Sequence, residues 1–240
     1  MKAVILAAGK GTRMKELTAE LPKPMLRVAG RPVLEHIICG IASAGVHEFL
    51  IVTGYRAEVI EDYFKDGKAF GVSISYIRQE IASGTGSAAL LAKDFVGDEP
   101  FLLTYGDILT APENYRDMVV LFAELKPDID GFISTWHGED LTKGGAVIVK
   151  DGLVTDIVEK GTGADLKNAF YNAGIYIFPV NIIAALATIP KSPRGEYELT
   201  DAIKQIIREG SCLRPFALQK YWLDVRDPEV LIIAEKLLCE

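Results

Sequence analysis

Short apolar runs alternate with segments of helical periodicity through the first half of the chain, and few fold classes accommodate that order. Residues 3–8 form a continuous apolar run, as in a parallel strand that is buried on both faces. After Pro32, apolar residues recur at i, i+3 and i+4 spacing until Gly45, which predicts a helix. Similar patterns predict strands at 49–52, 72–77 and 101–104 and helices at 57–64 and 85–95. The repeated β-α-β order predicts an α/β fold with a doubly wound, mostly parallel sheet and helices on both faces.

The second half of the chain has a different pattern, which predicts an added antiparallel lobe. Residues 146–149 and 153–158 flank Asp151-Gly152, a pair that is typical of a tight hairpin turn. Further patterns predict a strand at 173–178, a helix at 198–209 and a closing helix that starts at Pro228. No linker, repeat or low-complexity tract interrupts the chain. We therefore expect one domain over residues 1–240, with a first half of about 1–110 and a second half of about 111–240.

Composition argues against several function classes. The chain has 26 basic and 33 acidic residues and a net charge of -7, which disfavours a nucleic acid or an anionic membrane as the main partner. No apolar run approaches the ~18 residues that a transmembrane helix needs. The three cysteines are scattered, which indicates neither a disulfide framework nor a metal cluster and suits a reducing compartment. We expect a cytoplasmic protein.

A glycine-containing loop, residues 6–14, directly follows the first predicted strand. Glycine lets backbone N–H groups approach phosphate oxygens closely. The loop is not a Walker motif, since Lys10 is followed by glycine, and it is not a dinucleotide fingerprint, since Met14 occupies the third glycine position. Arg13 and Lys23 add two cations near the carboxyl ends of parallel strands, where open α/β sheets bind their ligands.

Five ordered motifs extend over more than two hundred residues of the chain. They are Gly11-Thr12-Arg13-Met14 with Pro22-Lys23-Pro24-Met25, Tyr105-Gly106-Asp107, Glu159-Lys160, Arg194-Gly195-Glu196-Tyr197-Glu198-Leu199-Thr200-Asp201, and Trp222-Leu223-Asp224. In these motifs the sequence resembles the sugar-1-phosphate nucleotidyltransferases, also called NDP-sugar pyrophosphorylases. The resemblance implies that an NTP and a sugar 1-phosphate react, with Mg²⁺ as cofactor, to give an NDP-sugar and pyrophosphate. It also implies that the first half of the chain binds the nucleotide and the second half the sugar phosphate.

The resemblance further implies roles for individual residues. Arg13 and Lys23 match the catalytic cations, and Asp107 and Asp224 match the metal-binding aspartates. The positions that match nucleotide contacts are Leu6, Ala8, Gly9, Gly11, Thr12, Gln79, Gly84 and Thr85. The positions that match sugar-phosphate contacts are Gly145, Glu159, Lys160 and Asn172. Dimers or tetramers are common in the family, so a homo-oligomer is an open expectation, although no sequence feature identifies an interface.

The implied chemistry requires positioning and charge compensation rather than a general base. The attacking phosphate monoester is already ionised near pH 7, because its second pKa is about 6. Arg13 suits the leaving pyrophosphate, Lys23 the α-phosphate and Lys160 the sugar phosphate. Asp107 and Asp224 supply hard oxygen ligands of the kind that Mg²⁺ prefers.

Structural roles remain open at several of these positions. Asp224 is followed by Val225-Arg226 rather than by the family's usual residues, and it is able to pair with Arg226 instead of a metal. Glu159-Lys160 would also suit the solvated end of a hairpin. Thr200-Asp201 is a candidate N-cap for the helix that follows. Lys23 is expected to lie in a polar loop segment.

Gln79 and the loop after it bear on the choice of base, and Gly84 in that loop is expected to permit close approach of the backbone to the base edge. A Gln amide offers both donors and an acceptor, so it matches N3–H and a carbonyl of uracil or thymine. UTP or dTTP is therefore favoured, and a guanylyl- or cytidylyltransferase of the same family is the alternative. Gly145, Glu159 and Asn172 do not choose between glucose and N-acetylglucosamine.

Two function classes outside the family remain to be weighed. A nicotinamide-dependent oxidoreductase would need a third glycine in the loop and an acid that holds the ribose, and both are missing. A non-catalytic nucleotide-binding module would be expected to have lost Arg13, Lys23 or Asp107, and all three are present.

Overall fold

The computed structural model describes residues 1–11, 14, 18, 20–159 and 169–239. Its strands are Lys2–Leu6 (β1), Arg27–Val28 (β2), Arg31–Pro32 (β3), Glu48–Thr53 (β4), Ser73–Arg78 (β5), Phe101–Tyr105 (β6), Ile108–Thr110 (β7), Gly131–Trp136 (β8), Gly145–Lys150 (β9), Leu153–Glu159 (β10), Ala169–Phe178 (β11), Leu213–Ala217 (β12) and Trp222–Asp224 (β13). Its α-helices are Val33–Ser43 (α1), Ala57–Phe64 (α2), Thr85–Leu90 (α3), Lys93–Val96 (α4), Pro112–Leu125 (α5), Asn181–Leu186 (α6), Leu199–Arg208 (α7) and Pro228–Cys239 (α8). Within the described residues, every helix is too short or too polar to cross a bilayer.

The central sheet has the strand order β10-β9-β11-β6-β1-β4-β5, and β8 and β12 join it through β11. The four strands of the first half, β1, β4, β5 and β6, pair with one another in parallel. Strand β11 then runs antiparallel to β6 and carries the sheet into the β9–β10 hairpin. The predicted fold class, a doubly wound and mostly parallel sheet with an antiparallel addition, is confirmed.

The two faces of the sheet are covered by separate hydrophobic cores. Ala3 and Ile5 of β1 point into one core, which is completed by helices α1, α2, α5 and α8. Val4 and Leu6 point into the other core, which is completed by helices α3, α4, α6 and α7. Because both faces of β1 are buried, its sequence shows no alternation of polar and apolar residues, in agreement with the prediction from residues 3–8.

The fold differs from the sequence expectation in one predicted helix and in several elements that were not predicted, among them α5, α6, β8 and β12. The helix expected at 85–95 is divided into α3 and α4. The N–H groups of Leu91 and Ala92 donate to carbonyls three residues back, at 3.3 and 3.1 Å, so a tighter 3₁₀-type turn separates the two helices. Strand β8, for which the sequence made no prediction, lies in the sheet between β11 and β12.

Candidate active site

The first of two clefts opens where β1 and β6 end, and it has a volume of about 380 Å³. Its lining includes Leu6, Ala8, Gly9, Gly11, Lys23, Gln79, Gly84, Thr85 and Asp107, which are predicted site residues. Thr12 and Arg13 also belong to the predicted set but lie outside the described residues. The location agrees with the rule that open α/β sheets bind ligands beyond the carboxyl ends of their strands.

The second cleft adjoins the first and has a volume of about 220 Å³. It is lined by the remaining predicted residues Gly145, Glu159, Asn172 and Asp224. Lys160, the fourth predicted sugar-phosphate contact, lies outside the described residues. Tyr105 and Asp107 belong to the linings of both clefts, so the two cavities meet at these side chains.

A short antiparallel strand pair brings Asp107 and Asp224 together. In the β7–β13 pair, Asp224 is opposite Ile108, and the N–H of Val225 donates to the carbonyl of Asp107 at 2.9 Å. The two carboxylates therefore reach the same point of the site from distant parts of the chain. Arg226, the alternative partner of Asp224, places its guanidinium 3.2 Å from the carboxylate of Glu139.

Lys23 lies between the two aspartates. Its Nζ is 2.5 Å from Oδ2 of Asp107 and 3.6 Å from Oδ1 of Asp224. The expectation that Lys23 sits in a polar loop is wrong, because it begins a buried 3₁₀ helix, Lys23–Met25. Gly11 packs against its stem: a Cβ at Gly11, where φ is +64°, would lie 3.0 Å from Cβ of Lys23.

Two carboxylates that converge on one cation form a donor set that suits a divalent metal. Mg²⁺ is usually held by one or two carboxylates together with substrate phosphates. Among the described residues, no group of three or more His, Cys, Asp or Glu side chains could hold a metal without such a substrate. Asp107 and Asp224 therefore fit a metal that is shared with a phosphate ligand.

The loop between β5 and α3 is held by its own side chains and by the segment before α7. Nε2 of Gln79 donates to the carbonyl of Gly84 at 3.2 Å and to Oγ of Ser87 at 2.9 Å. The N–H of Gly86 donates to the carbonyl of Tyr197, and the N–H of Tyr197 donates to that of Ser83, both at 2.8 Å. The amide nitrogen of Gln79 is thus engaged with the loop, and its oxygen is the end left to accept a hydrogen bond from a base.

Gly84 is required by this backbone packing. Its φ is +112°, and a Cβ there would lie 2.4 Å from the carbonyl oxygen of Tyr197. The sequence attributed the need for glycine to close approach of a base. The structure shows an approach by the protein's own backbone, which also keeps the loop at the rim of the first cleft.

Glu159 is held by the start of helix α7. Oγ1 of Thr200 donates to Oε1 of Glu159 at 3.1 Å. Arg194 binds Oε1 of the buried Glu198 at 2.8 Å, and its guanidinium lies 3.9 Å from Oε2 of Glu159. The N-cap position of α7 is Glu198, so the expectation that Thr200-Asp201 caps this helix is wrong. The hydroxyl of Thr200 serves a side chain of the second cleft instead.

A chain of polar groups connects the two clefts. The N–H of Leu199 donates to Oγ1 of Thr85 at 3.1 Å, and the side chain of Tyr105 lies near those of Thr85 and Tyr176. Nδ2 of Asn172 donates to the hydroxyl of Tyr176 at 2.8 Å. Burial raises the pKa of Tyr105 and of Tyr176, so both hydroxyls stay protonated near neutral pH.

A comparison with protein families decides the class of this site. The family described as "Nucleotidyl transferase" matches residues 2–240. The chain belongs to the nucleotidyl transferase family.

Named relatives of this nucleotidyl transferase fall into two groups. The bifunctional protein GlmU of Methanococcus maripaludis is 36% identical over 233 residues, which cover 95% of this chain and 52% of that protein. The chain therefore spans about half the length of GlmU. The UTP–glucose-1-phosphate uridylyltransferase AglF of Haloferax volcanii is 33% identical over 242 residues and is covered to 97% of its length.

A solved structure resembles this nucleotidyl transferase over nearly its whole length. It is a Bacillus anthracis protein assigned as a glucose-1-phosphate thymidylyltransferase, crystallised with a sucrose. It superposes with a TM-score of 0.88 at 26% sequence identity. The superposition includes 99% of this chain and 94% of the Bacillus anthracis chain. The fold described above is therefore one that this family uses.

Tyr105, Glu196 and Thr200 are among the residues of the nucleotidyl transferase site that had no site role in the sequence expectation. Tyr105 lines both clefts, Glu196 lines the first, and Thr200 binds Glu159. Each belongs to a motif that the sequence analysis identified, either 105–107 or 194–201. Membership of a motif was therefore the signal that could have found them.

Proposed function

We propose that the chain transfers a nucleotidyl group from UTP or dTTP to a sugar 1-phosphate and releases pyrophosphate, with Mg²⁺ as the cofactor. The observation that carries the proposal is the junction of the two clefts at Asp107, beside Lys23 and Asp224. A transfer between two phosphate compounds needs two adjacent binding sites with cations and metal ligands where they meet. The names of AglF and of the Bacillus anthracis protein support the same reaction class.

In this proposal the protein supplies alignment and charge rather than proton transfer. The sugar phosphate is its own nucleophile, because it is ionised near neutral pH. Lys23 lines the first cleft and is placed to bind the α-phosphate, on which negative charge accumulates. Mg²⁺ held by Asp107 and Asp224 would neutralise charge on phosphate oxygens. Arg13 and Lys160 are proposed to bind the leaving pyrophosphate and the sugar phosphate.

The preference for uracil or thymine rests on Gln79. Its nitrogen is bound by Gly84 and Ser87, and Gln79 lines the first cleft, so its oxygen is the amide atom that we propose accepts a hydrogen bond from the base. Uracil and thymine carry a donor at N3, whereas cytosine carries an acceptor there. The proposed preference for uracil or thymine over cytosine follows, because the amide oxygen and cytosine N3 are both acceptors and do not pair.

The proposed sugar site is the second cleft, where Gly145, Glu159 and Asn172 lie together. The carboxylate of Glu159 is oriented by Thr200 and is able to accept hydrogen bonds from sugar hydroxyls. The named relatives support a glucose 1-phosphate, with UTP for AglF and a thymidylyl group for the Bacillus anthracis protein. The test therefore includes both bases and more than one sugar.

The experiment measures pyrophosphate release by the purified protein with Mg²⁺. Each of UTP, dTTP, CTP, GTP and ATP is paired with glucose 1-phosphate, N-acetylglucosamine 1-phosphate and galactose 1-phosphate, and the NDP-sugar is identified by mass spectrometry. We expect release only when both substrates are present, with UTP or dTTP used best, and none in EDTA. Reactions without sugar phosphate, and the Asp107→Asn variant, are the controls. Nucleotide binding without release would indicate a non-catalytic module, and preferred use of GTP or CTP would overturn the base assignment.

A further inference from the structure

Lys23 occupies the place where a divalent metal would be needed. Its ammonium stands 2.5 Å from Asp107 and 3.6 Å from Asp224, the two carboxylates that fit a metal. The Lys23 side chain is 10% exposed, and the two aspartate side chains are 28% and 22% exposed. Partial shielding from water strengthens the interactions among these three charges. In the ligand-free protein the pair of aspartates therefore already has a cation.

We infer that Lys23 is an internal counter-cation that competes with the divalent metal for Asp107 and Asp224, and that an incoming NTP ends the competition. The inference rests on the proposed function, because a triphosphate is the anion that would receive the ammonium. Two carboxylates carry two negative charges, and the ammonium beside them lowers the net negative charge of the pair. A divalent ion meets a site of lower negative charge while Lys23 stays in place.

The position of Lys23 allows its ammonium to contact either the two aspartates or a phosphate in the first cleft. Gly11 packs on the first carbons of its stem, within 3.0 to 3.5 Å of a Cβ built at that glycine, so the base of the side chain is fixed. The ammonium lies at the end of a flexible four-carbon stem. Lys23 and Asp107 both line the first cleft, so a phosphate that binds there is within the reach of the ammonium.

The consequence is that the metal and the NTP bind cooperatively. Without nucleotide, the metal must displace Lys23 from its two partners. With nucleotide, the ammonium has an anionic partner and the metal gains phosphate oxygens as further ligands. We therefore expect a divalent metal to bind weakly when no nucleotide is present, and we expect Lys23 to be the cause.

The test measures the binding of Mn²⁺, a spectroscopic substitute for Mg²⁺, to the ligand-free protein by electron paramagnetic resonance. Lys23→Met keeps the length of the side chain and removes its charge. We expect this variant to bind Mn²⁺ at least about tenfold more tightly than the wild type. The reason is that the Coulomb interaction between charges a few ångströms apart in a partly shielded site corresponds to more than about a tenfold change in a binding constant. Lys10→Met is the matched control, because Lys10 lies in the loop of residues 6–14, between Gly9 and Gly11 of the first cleft, but places its Nζ 5.5 Å from the Tyr55 ring centroid. Its Mn²⁺ affinity should stay close to that of the wild type.

A second measurement uses only the wild-type protein, so it does not depend on the folding of a variant. Lysines are acetylated by a limiting amount of acetic anhydride with and without saturating Mn²⁺, and each site is quantified by mass spectrometry. Lys23 should become more reactive when Mn²⁺ is present, and Lys10 should not change.

Three results would overturn the inference. They are unchanged or weaker Mn²⁺ binding by Lys23→Met, an equal gain in Lys10→Met, and labelling of Lys23 that does not respond to Mn²⁺. The second result would show an effect of net charge alone. None of these measurements uses turnover, so failure of the proposed function would appear separately, as absence of pyrophosphate release by the wild type.

Discussion

The hydroxyl of Thr200 donates a hydrogen bond to Oε1 of Glu159 at 3.1 Å and so joins the start of helix α7 to the end of strand β10. The contact is between two motifs of the sequence, 159–160 and 194–201. Thr200 is buried, whereas Glu159 lines the second cleft. The first turn of α7 therefore orients a carboxylate that is proposed to bind the sugar.

Replacing Thr200 by Val removes this hydrogen bond and keeps the shape of the side chain. We expect the KM for the sugar 1-phosphate to rise, with a cost of about 1–2 kcal/mol for the lost contact to a charged group. The KM for the NTP should change little, because Thr200 is not part of the lining of the first cleft. Thr155→Val, on the exposed face of the same strand as Glu159, is the control and should leave both values unchanged. An equal rise in both KM values for Thr200→Val would contradict this role.

Asp107→Asn should lower kcat by at least about a hundredfold, since it removes a charged ligand at the junction of the two clefts. Asp224→Asn should be less severe, because Asp224 lines only the second cleft and lies farther from Lys23. Steady-state rates at several Mg²⁺ concentrations measure both effects. Equal losses in the two variants would show that the site is more symmetric than we propose.

Gln79→Ala should narrow the discrimination between bases. For UTP or dTTP the loss of the amide should cost about 1–3 kcal/mol in kcat/KM, while CTP should lose much less. The same change also removes the hydrogen bonds to Gly84 and Ser87, so loosening of the loop is the competing explanation. In that case kcat/KM would fall by similar factors for all nucleotides. Ser87→Ala separates the two, because it removes one loop contact and keeps the amide.

Gly84→Ala should destabilise the protein by about 2 kcal/mol or more, because its Cβ would lie 2.4 Å from the Tyr197 carbonyl and because φ is +112°. Gly71→Ala is the control. Its φ is +72° and nothing lies within 4 Å of its Cβ, so it should cost only about 1 kcal/mol. Thermal and urea unfolding of the two variants measure the difference. Similar costs would mean that the loop moves aside without penalty.

The ion pair between Glu61 of α2 and Arg78 of β5 should make the free energy of unfolding depend on pH. Hydrogen bonds from Arg78, opposed by burial and aided by Thr53, hold the pKa of Glu61 below its ordinary value of 4.5. The stabilisation is therefore present above that value and is lost as the pH falls through the lower, folded-state pKa. The Arg78 side chain is 54% exposed, so screening by solvent keeps the effect small. The melting temperature of Glu61→Gln should lie below that of the wild type at pH 7 and approach it at pH 3. Glu99→Gln, at an exposed position, should show no such convergence.

Much of the sheet could be predicted because its strands carry a local signal. The apolar run of β1 reflects burial on both faces of the strand, and the spacing of apolar residues in α1 reflects burial on one face of the helix. Each pattern can be recognised from a few residues. The division between α3 and α4 has no such signal, since it results from two hydrogen bonds at Leu91 and Ala92. Strand β8 is as long as β4 and β5, but its pairing partners β11 and β12 are distant in sequence, so no hairpin pattern marked it.

The site could be predicted as a set of residues but not as an arrangement. The motifs identified Lys23, Asp107 and Asp224 separately. Lys23 lies against both aspartates because of the register in which β7 pairs with β13. Tertiary packing sets that register, and the spacing of residues in the sequence does not reveal it. The burial of Lys23 was missed for the same reason, because a lysine between two prolines reads as a polar turn.

The sharing of Tyr105 and Asp107 by the two clefts limits how specificity could be changed, in evolution or by design. Gln79 lines only the first cleft and Gly145 only the second, so the choice of base and the choice of sugar can be altered independently at these positions. Under the proposed function, a substitution at Tyr105 or Asp107 is expected to affect both choices at once, because these residues line both clefts. Libraries aimed at new NDP-sugars should therefore vary residues that line only one of the two clefts and keep the shared residues Tyr105 and Asp107 constant.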